Sequence, residues 1–437
     1  MPLKHTVEEI KLDNGIKGLL INVPDATVVN YCIGFMAAGT SYVNVSINQA
    51  PHILEHMISS GISERFKSRG EFSQEFSKNG AKKNAMTSNV RMKYIAESAL
   101  MEWDRILDLM QSIISKPMLI EASLDSEKRT VKEELTMKLN DNTRLSGQLV
   151  KRAMGTFDVS DLNRIETISR VMLSDIESHY KVTHSAVNMR FILVGDLVSH
   201  KLEIIDKFQS IDIHVGDILP SIIYKAKKAS AIKLFKDMPN LVYRIGISIN
   251  RNMSSREYLA MKIVNLVLFA TMHSRVFKEA RRRGLCYYIG YYCGVEPSNY
   301  SDWQINGDVK KDNIIPLFQL IVDEIRSFLA DGLAEDELRS IKQYLIGNYQ
   351  MAGQTVNSLN EWYASSYFDQ GKGDVVYSLE QYLGDVESIT EKDVIDILAE
   401  FINEDTWCLG VVGNLSDDEL YQYEKIISNI FDVAEEK

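Results

Sequence analysis

The feature that most limits how this chain can fold is a repeat. "NMRFILVGDLVSHKLEIIDKFQS" near the middle and "TWCLGVVGNLSDDELYQYEKIIS" near the end each read as an apolar strand, a Gly-Asx-Leu turn and an amphipathic helix. Gly413 follows Gly195 by 218 residues, about half of the 437. A second pair, "VVNYCIGFMAAGTSY" and "LVYRIGISINRNMSSREY", stands upstream in the same order, each member followed by a long helical stretch. Two matches in one order predict duplicated domains of similar size, residues 1–218 and 219–437. The join is expected around 215 to 232, where Pro220 and a lysine cluster interrupt the periodic pattern. Strands alternating with helices within each half predict an α/β or α+β class.

Composition excludes several functions. The net charge is -11 with both signs mixed along the chain, whereas a nucleic-acid binder needs a concentrated basic patch. Four scattered cysteines, none in a CxxC pair, suit a reducing compartment. The N-terminal "MPLKHTVEEIKLDNG" has neither the apolar run of a secretory signal nor the Arg-rich, acid-poor look of a transit peptide. The most apolar segment, "YLAMKIVNLVLFATMH", is interrupted by Lys262 and too short to span a bilayer. The expectation is a cytoplasmic protein with neither nucleic acid nor membrane as partner.

Residues 50 to 61, "APHILEHMISSG", carry the chemistry. On a helix, His52 and His56 lie one above the other, so both imidazoles can reach one ion. Glu55 falls close to the same face, placed to hold a water beside that ion. The segment by itself also fits an ordinary buried helix with two histidines. A third ligand is expected in "SLDSEKRTVKEELTMKLND", residues 123 to 141, an amphipathic helix whose apolar side is marked by Leu124, Val131 and Leu135. Glu127 and Glu134 share that side, and Glu133 lies about a third of a turn away. Carboxylates facing a core are costly unless paired or bound to metal. This favours Glu134 over Glu133 as ligand, with Glu127 as its neighbour.

The H-x-x-E-H order is the inverted zincin signature. Followed here by "GAKKNAMTSNVRMKYI" and then "EKRTVKEEL", it resembles the pitrilysin/insulinase metallopeptidase family, in particular the half-length branch with mitochondrial processing peptidase and bacterial peptidasomes. The resemblance implies two halves, each a mixed sheet with packed helices, closing as a clamshell around a peptide chamber. It implies zinc on His52, His56 and Glu134, Glu55 as catalytic base, and a supporting glutamate at Glu127. It also implies a substrate-holding edge strand at Asn84 and Ala85. Chains of this length in the family pair, so a homodimer or a heterodimer with an inactive relative is expected.

The segment "HSRVFKEARRRGLCYYIG", residues 273 to 290, resembles the family's C-terminal Arg/Tyr element, in which an arginine precedes the tyrosine of "GLxY" by seven. Tyr287 takes the tyrosine position, but Ala280 stands seven before it. Either Arg281 takes the role beside Tyr287, the closer match, or Tyr288 pairs with Arg281. A tyrosine hydroxyl can stabilise an oxyanion while an arginine anchors the substrate backbone. The expected activity is zinc-dependent cleavage of short or unfolded peptides. Its alternatives are leader-peptide processing in peptide-natural-product maturation, or a non-catalytic subunit of a processing-peptidase-like heterodimer.

Overall fold

The computed structural model describes residues 2–156, 159–369 and 373–432. Strands β1 (Thr6–Lys11), β2 (Lys17–Asn22), β3 (Val28–Phe35), β4 (Lys82–Thr87), β5 (Met92–Ala99) and β6 (Met189–Gly195) form one sheet, ordered β1-β2-β6-β3-β5-β4. Strands β7 (Ile232–Phe235), β8 (Asn240–Ile249), β9 (Ile289–Glu296), β10 (Tyr300–Lys310) and β11 (Trp407–Gly413) form the second, ordered β7-β11-β8-β10-β9. Both sheets are mixed: β2 pairs parallel with β6, and β7 parallel with β11, while the other pairs are antiparallel.

The helices repeat as well. The first half runs α1 (Ala50–Ser59), α2 (Arg69–Ser77), α3 (Trp103–Ser115), α4 (Glu121–Lys138), α5 (Asn142–Ala153), α6 (Asp161–Thr167), α7 (Leu173–Thr183) and α8 (Lys201–Gln209). The second runs α9 (Ser255–Leu268), α10 (Arg275–Arg282), α11 (Ile314–Asp331), α12 (Glu335–Met351), α13 (Val356–Ala364), α14 (Leu379–Ser388), α15 (Glu391–Phe401) and α16 (Asp417–Ser428). The strand register carries the repeat to single residues. Gly34 of β3 lies opposite Arg190, and Gly246 of β8 lies opposite Cys408. Arg190 and Cys408 are separated by the same 218 residues as Gly195 and Gly413.

One face of each sheet packs on helices of its own half: Val29, Tyr31, Ile33 and Phe35 meet Ile53 and Leu54 of α1 and Ile106 of α3. The opposite faces are covered by exchange. Val356, Leu359 and Tyr363 of α13, from the second half, pack on Leu19, Ile21, Cys32, Ile192 and Val194 of the first sheet. Val150 of α5, from the first half, packs against Cys408 of the second sheet, and Leu145 against Val242 and Val412. Each apolar side chain so covered contributes roughly 1.5–3 kcal/mol. Coverage on both faces explains why β6 and β11 are buried along their whole length rather than at alternate residues.

The exchanged elements come so close that only glycine fits below them. A Cβ on Gly246 would lie 2.4 Å from Val150, and one on Gly34 would lie 2.5 Å from Phe368. Polar contacts seal the same seams. Arg244 donates to the Thr143 carbonyl at 2.9 Å, Lys151 faces Glu296 at 3.3 Å, and Arg190 pairs with Asp374 at 2.6 Å. A division near residue 218 therefore parts each sheet from a helix that covers it. Among the described residues, no helix is long and apolar enough to cross a membrane.

Candidate metal centre and peptide cavity

Helix α1 begins with Pro51 in its first turn, where a missing N–H costs nothing. Ile53, Leu54, Met57 and Ile58 are buried, which turns His52 and His56 to the opposite side, with ring centroids 4.8 Å apart. Each ring is oriented by a partner at Nδ1. That of His52 lies 3.2 Å from Gln49 Oε1, and that of His56 lies 3.1 Å from Glu127 Oε2. These contacts leave both Nε2 atoms turned toward Glu134.

Helix α4 buries Leu124, Val131 and Leu135 and carries Glu127 and Glu134 on the side toward α1. Glu133 is exposed. Glu134 Oε2 stands 3.4 Å from His52 Nε2 and 3.7 Å from His56 Nε2. Two ligands of a tetrahedral zinc, with bonds of about 2.0–2.1 Å, stand about 3.4 Å apart, close to both separations that Glu134 Oε2 makes. Histidine and carboxylate are zinc donors, and the Glu127–His56 contact is the carboxylate support that fixes a ligating ring. His52, Glu55 and His56 also bring ligand atoms within 4.8 Å of one another. Glu134 nonetheless suits the ligand role better, because it meets both Nε2 atoms.

The charges around this cluster are uneven. The His52 ring, assisted by Lys138 at 2.5 Å, holds the Glu134 carboxyl down at about 2 against the opposing effect of burial. The hydrogen bond from His56 likewise lowers Glu127. Glu55 goes the other way: burial raises its carboxyl, and the nearby histidines only partly offset this. Thr87 Oγ1 donates to Glu55 Oε2 at 3.3 Å and fixes that carboxylate beside the ligands. Burial lowers the His56 pKa, but Glu127, Glu55 and Glu134 together outweigh it and raise it overall.

These residues open onto a cavity of about 940 Å³. Its first-half wall includes β4, an edge strand that among the described residues pairs only with β5. Asn84 and Ala85 sit on that edge, with the Asn84 side chain accepting from the Ala85 N–H at 2.9 Å. The second-half wall is formed by Tyr292, Val295, Glu296, Ser298 and Tyr300.

The structure thus gathers His52, Glu55, His56, Glu134, Asn84 and Ala85 at one cavity, with Glu127 behind His56. Arg281, Tyr287 and Tyr288 are not among the residues lining it. The Arg281 guanidinium lies over the Tyr287 ring, 4.8 Å from its centroid, and donates to the Tyr287 carbonyl at 3.3 Å. Tyr287 is 82% exposed and Tyr288 61%. The reason is the course of β9, which starts just after these tyrosines and reaches the cavity only at Tyr292 and beyond. Three residues of strand carry the chain from Ile289 to Tyr292, roughly 10 Å. Ala280, seven before Tyr287, is fully buried in the second core. Sequence reasoning missed Gln49, Thr87 and Lys138, whose roles arise from contacts no motif records. Only Lys138 carries a local signal, four residues after Glu134 on one helix face.

Comparison with known proteins agrees. Residues 25–160 match the family model described as insulinase, peptidase family M16, and residues 170–345 match the model described as peptidase M16 inactive domain. An uncharacterized zinc protease of Bacillus subtilis, YmxG, is 22% identical over 362 residues, covering 80% of this chain and 86% of that protein. A probable inactive metalloprotease of the same organism, YmfF, is 20% identical over 300 residues, covering 66% and 69%. A protease from Helicobacter pylori has the same fold, with a TM-score of 0.81 at 16% identity, over 95% of this chain and 100% of that one. Two matching halves, the clamshell architecture of structural relatives and the residue order around α1 and α4 lead to one assignment: the chain belongs to the insulinase family of peptidases, M16.

Proposed function

We propose that this protein is a zinc-dependent metalloendopeptidase that cuts short or unfolded peptides inside its cavity. The observation that carries this reading is the convergence of His52 Nε2, His56 Nε2 and Glu134 Oε2, with buried Glu55 beside them and the edge strand β4 nearby. When bound there, zinc supplies the charge that polarises a scissile carbonyl and acidifies a water. The chain's own residues do the rest. The β4 edge pairs with the substrate backbone as an added strand. Glu55, its carboxyl raised by burial, takes a proton from the attacking water and returns it to the leaving amine. Thr87 keeps the carboxylate aimed while the proton moves.

The exposed Arg281–Tyr287 pair supports a pairing of chains, in which one copy offers this element to the cavity of another. A heterodimer with a related chain uses the same surface. The four free cysteines fit the cytoplasm, a reducing compartment. The name of YmfF raises the reading of a silent subunit. The complete set of His52, Glu55, His56 and Glu134, with Glu127 in place, favours an active chain.

A mixed peptide pool incubated with the protein and read by mass spectrometry tests the activity. We expect cleavage that a chelator stops and zinc restores; an uncut pool at full zinc occupancy leaves the silent-subunit reading. Mixing Glu55→Gln with Tyr287→Phe tests the pairing. Recovery of activity from two crippled variants requires that copies share a site, whereas an inactive mixture confines the element to its own chain.

A further inference from the structure

The cavity wall is unexpectedly cationic. The whole chain has 49 Lys and Arg against 60 Asp and Glu, yet seven of the lining residues are cationic and four acidic. Most of these cations already have carboxylates. Lys138 holds Glu134, Arg144 holds Asp161 at 2.7 Å, and Lys151 lies between Glu296 and Asp302 at 3.3 and 3.5 Å. Arg91 lies 3.9 Å from Asp369, and Arg164 lies 3.9 Å from Asp161.

Two are different. Lys83 extends from the substrate-binding edge strand, next to Asn84, and donates to the Ser59 carbonyl at the end of α1 at 2.7 Å. Among the described residues no carboxylate comes within ion-pair distance of it. Arg69, at the start of α2, is paired with Glu127 Oε1 at 3.5 Å but differs in its exposure, with 63% of its side chain accessible. Burial and the charge of Arg69 both push the Lys83 ammonium below its ordinary range, so a carboxylate placed here relieves both. Glu55 also favours the charged ammonium, but from beyond ion-pair distance. The Lys83 ammonium also lies over the buried Phe72 ring, 5.4 Å from its centroid.

We propose that Lys83 and Arg69 form a carboxylate-binding subsite beside the metal residues, so that the enzyme selects peptides with an acidic group close to the scissile bond. The inference rests on the peptidase reading above. Its site follows from β-augmentation: a substrate strand on the β4 edge runs past Lys83 as it runs past Asn84 and Ala85. An acidic side chain and a free C-terminal carboxylate both supply the chemistry, and the test separates them.

The probe is a peptide found to be cut, remade with each Glu or Asp near its cleaved bond changed to Gln or Asn, and separately with its C-terminus amidated. We expect kcat/KM to fall about tenfold or more for the neutral version of the selected residue, the scale of a lost charge-assisted hydrogen bond. A loss on amidation alone assigns the subsite to a chain terminus. Binding of the same peptides to zinc-loaded Glu55→Gln, read by fluorescence anisotropy, should show the same ranking and should weaken with salt. In Lys83→Glu the acidic-to-neutral preference should invert, and Arg69→Ala should narrow it. Equal cleavage and equal binding of the acidic and neutral versions would overturn the subsite while leaving the peptidase reading intact. If no peptide of the mixed pool is cut, acidic and neutral versions of a pool peptide that binds the zinc-loaded chain take its place; an acidic preference in that binding keeps the subsite while the peptidase reading falls.

Discussion

The two halves share a scaffold and spend it differently. Helices α1 and α9 occupy matching places, α1 after β3 and α9 after its counterpart β8. In α9 the buried positions are Leu259, Ala260, Met261, Ile263, Val264, Val267 and Leu268, with Asn265 satisfied by the Trp303 indole at 3.0 Å. In α1 the same neighbourhood holds two histidines and a buried glutamate. Helices α4 and α12 tell the same story. Aligned at their first residues, Glu121 and Glu335, they keep an apolar stripe (Leu124 and Val131 against Leu338 and Leu345) but place Ile341 and Asn348 where α4 has Glu127 and Glu134. One copy closes its core with apolar side chains. The other accepts desolvated carboxylates, tolerable because each meets a hydrogen-bonding or charged partner: Thr87 at Glu55, His56 at Glu127, and His52 and Lys138 at Glu134.

Five substitutions break or sharpen this contrast, in descending order of effect. Glu55→Gln should cut turnover by about 10²–10⁴-fold, the usual worth of a positioned base, while zinc content by elemental analysis stays at the wild-type level. A variant that loses its zinc would instead make Glu55 a ligand. Glu127→Gln should weaken zinc binding by about 10–100-fold, because His56 loses the carboxylate that orients it; competition with a chromogenic chelator reads this directly.

Gly34→Val and Gly246→Val probe the seams, which are symmetric where the site is not. Each should cost about 1–3 kcal/mol by overpacking against an exchanged element, seen as a lower urea midpoint. If only one of the two destabilises, the exchange is not equivalent on both sides. The smallest effect belongs to the second half's own charges. Arg251 holds the Glu257 carboxyl at about 2, against 4.5 ordinarily, mostly through their hydrogen bond. A depressed carboxyl stabilises the fold above its unfolded value and loses that contribution as pH falls from about 4.5 toward 2. Glu257→Gln should therefore flatten the acid limb of stability slightly, by less than about 1 kcal/mol for so open a pair. An unchanged limb assigns that sensitivity to other groups.

Much of this was legible in the chain, and the parts that were not have a common cause. The repeat showed because a strand–turn–helix unit has a local hydrophobic period that survives duplication. His52, Glu55 and His56 were readable because four residues on a helix fix their relative positions whatever surrounds them. The choice of Glu134 over Glu133 followed from the same geometry, since the apolar stripe through Val131 and Leu135 orients the helix. What periodicity could not say is which surface a stripe covers. The apolar faces of α5 and α13 announce burial, yet nothing local tells that each lies on the other half's sheet. Motif spacing likewise sets Tyr287 near Arg281, but only the path of β9 leaves the pair outside the lining of the cavity. Local geometry is set by bonds and torsions along a few residues. Which elements meet is set by how the two sheets and the helices packed on them share their apolar area, and that is decided only when the chain closes on itself.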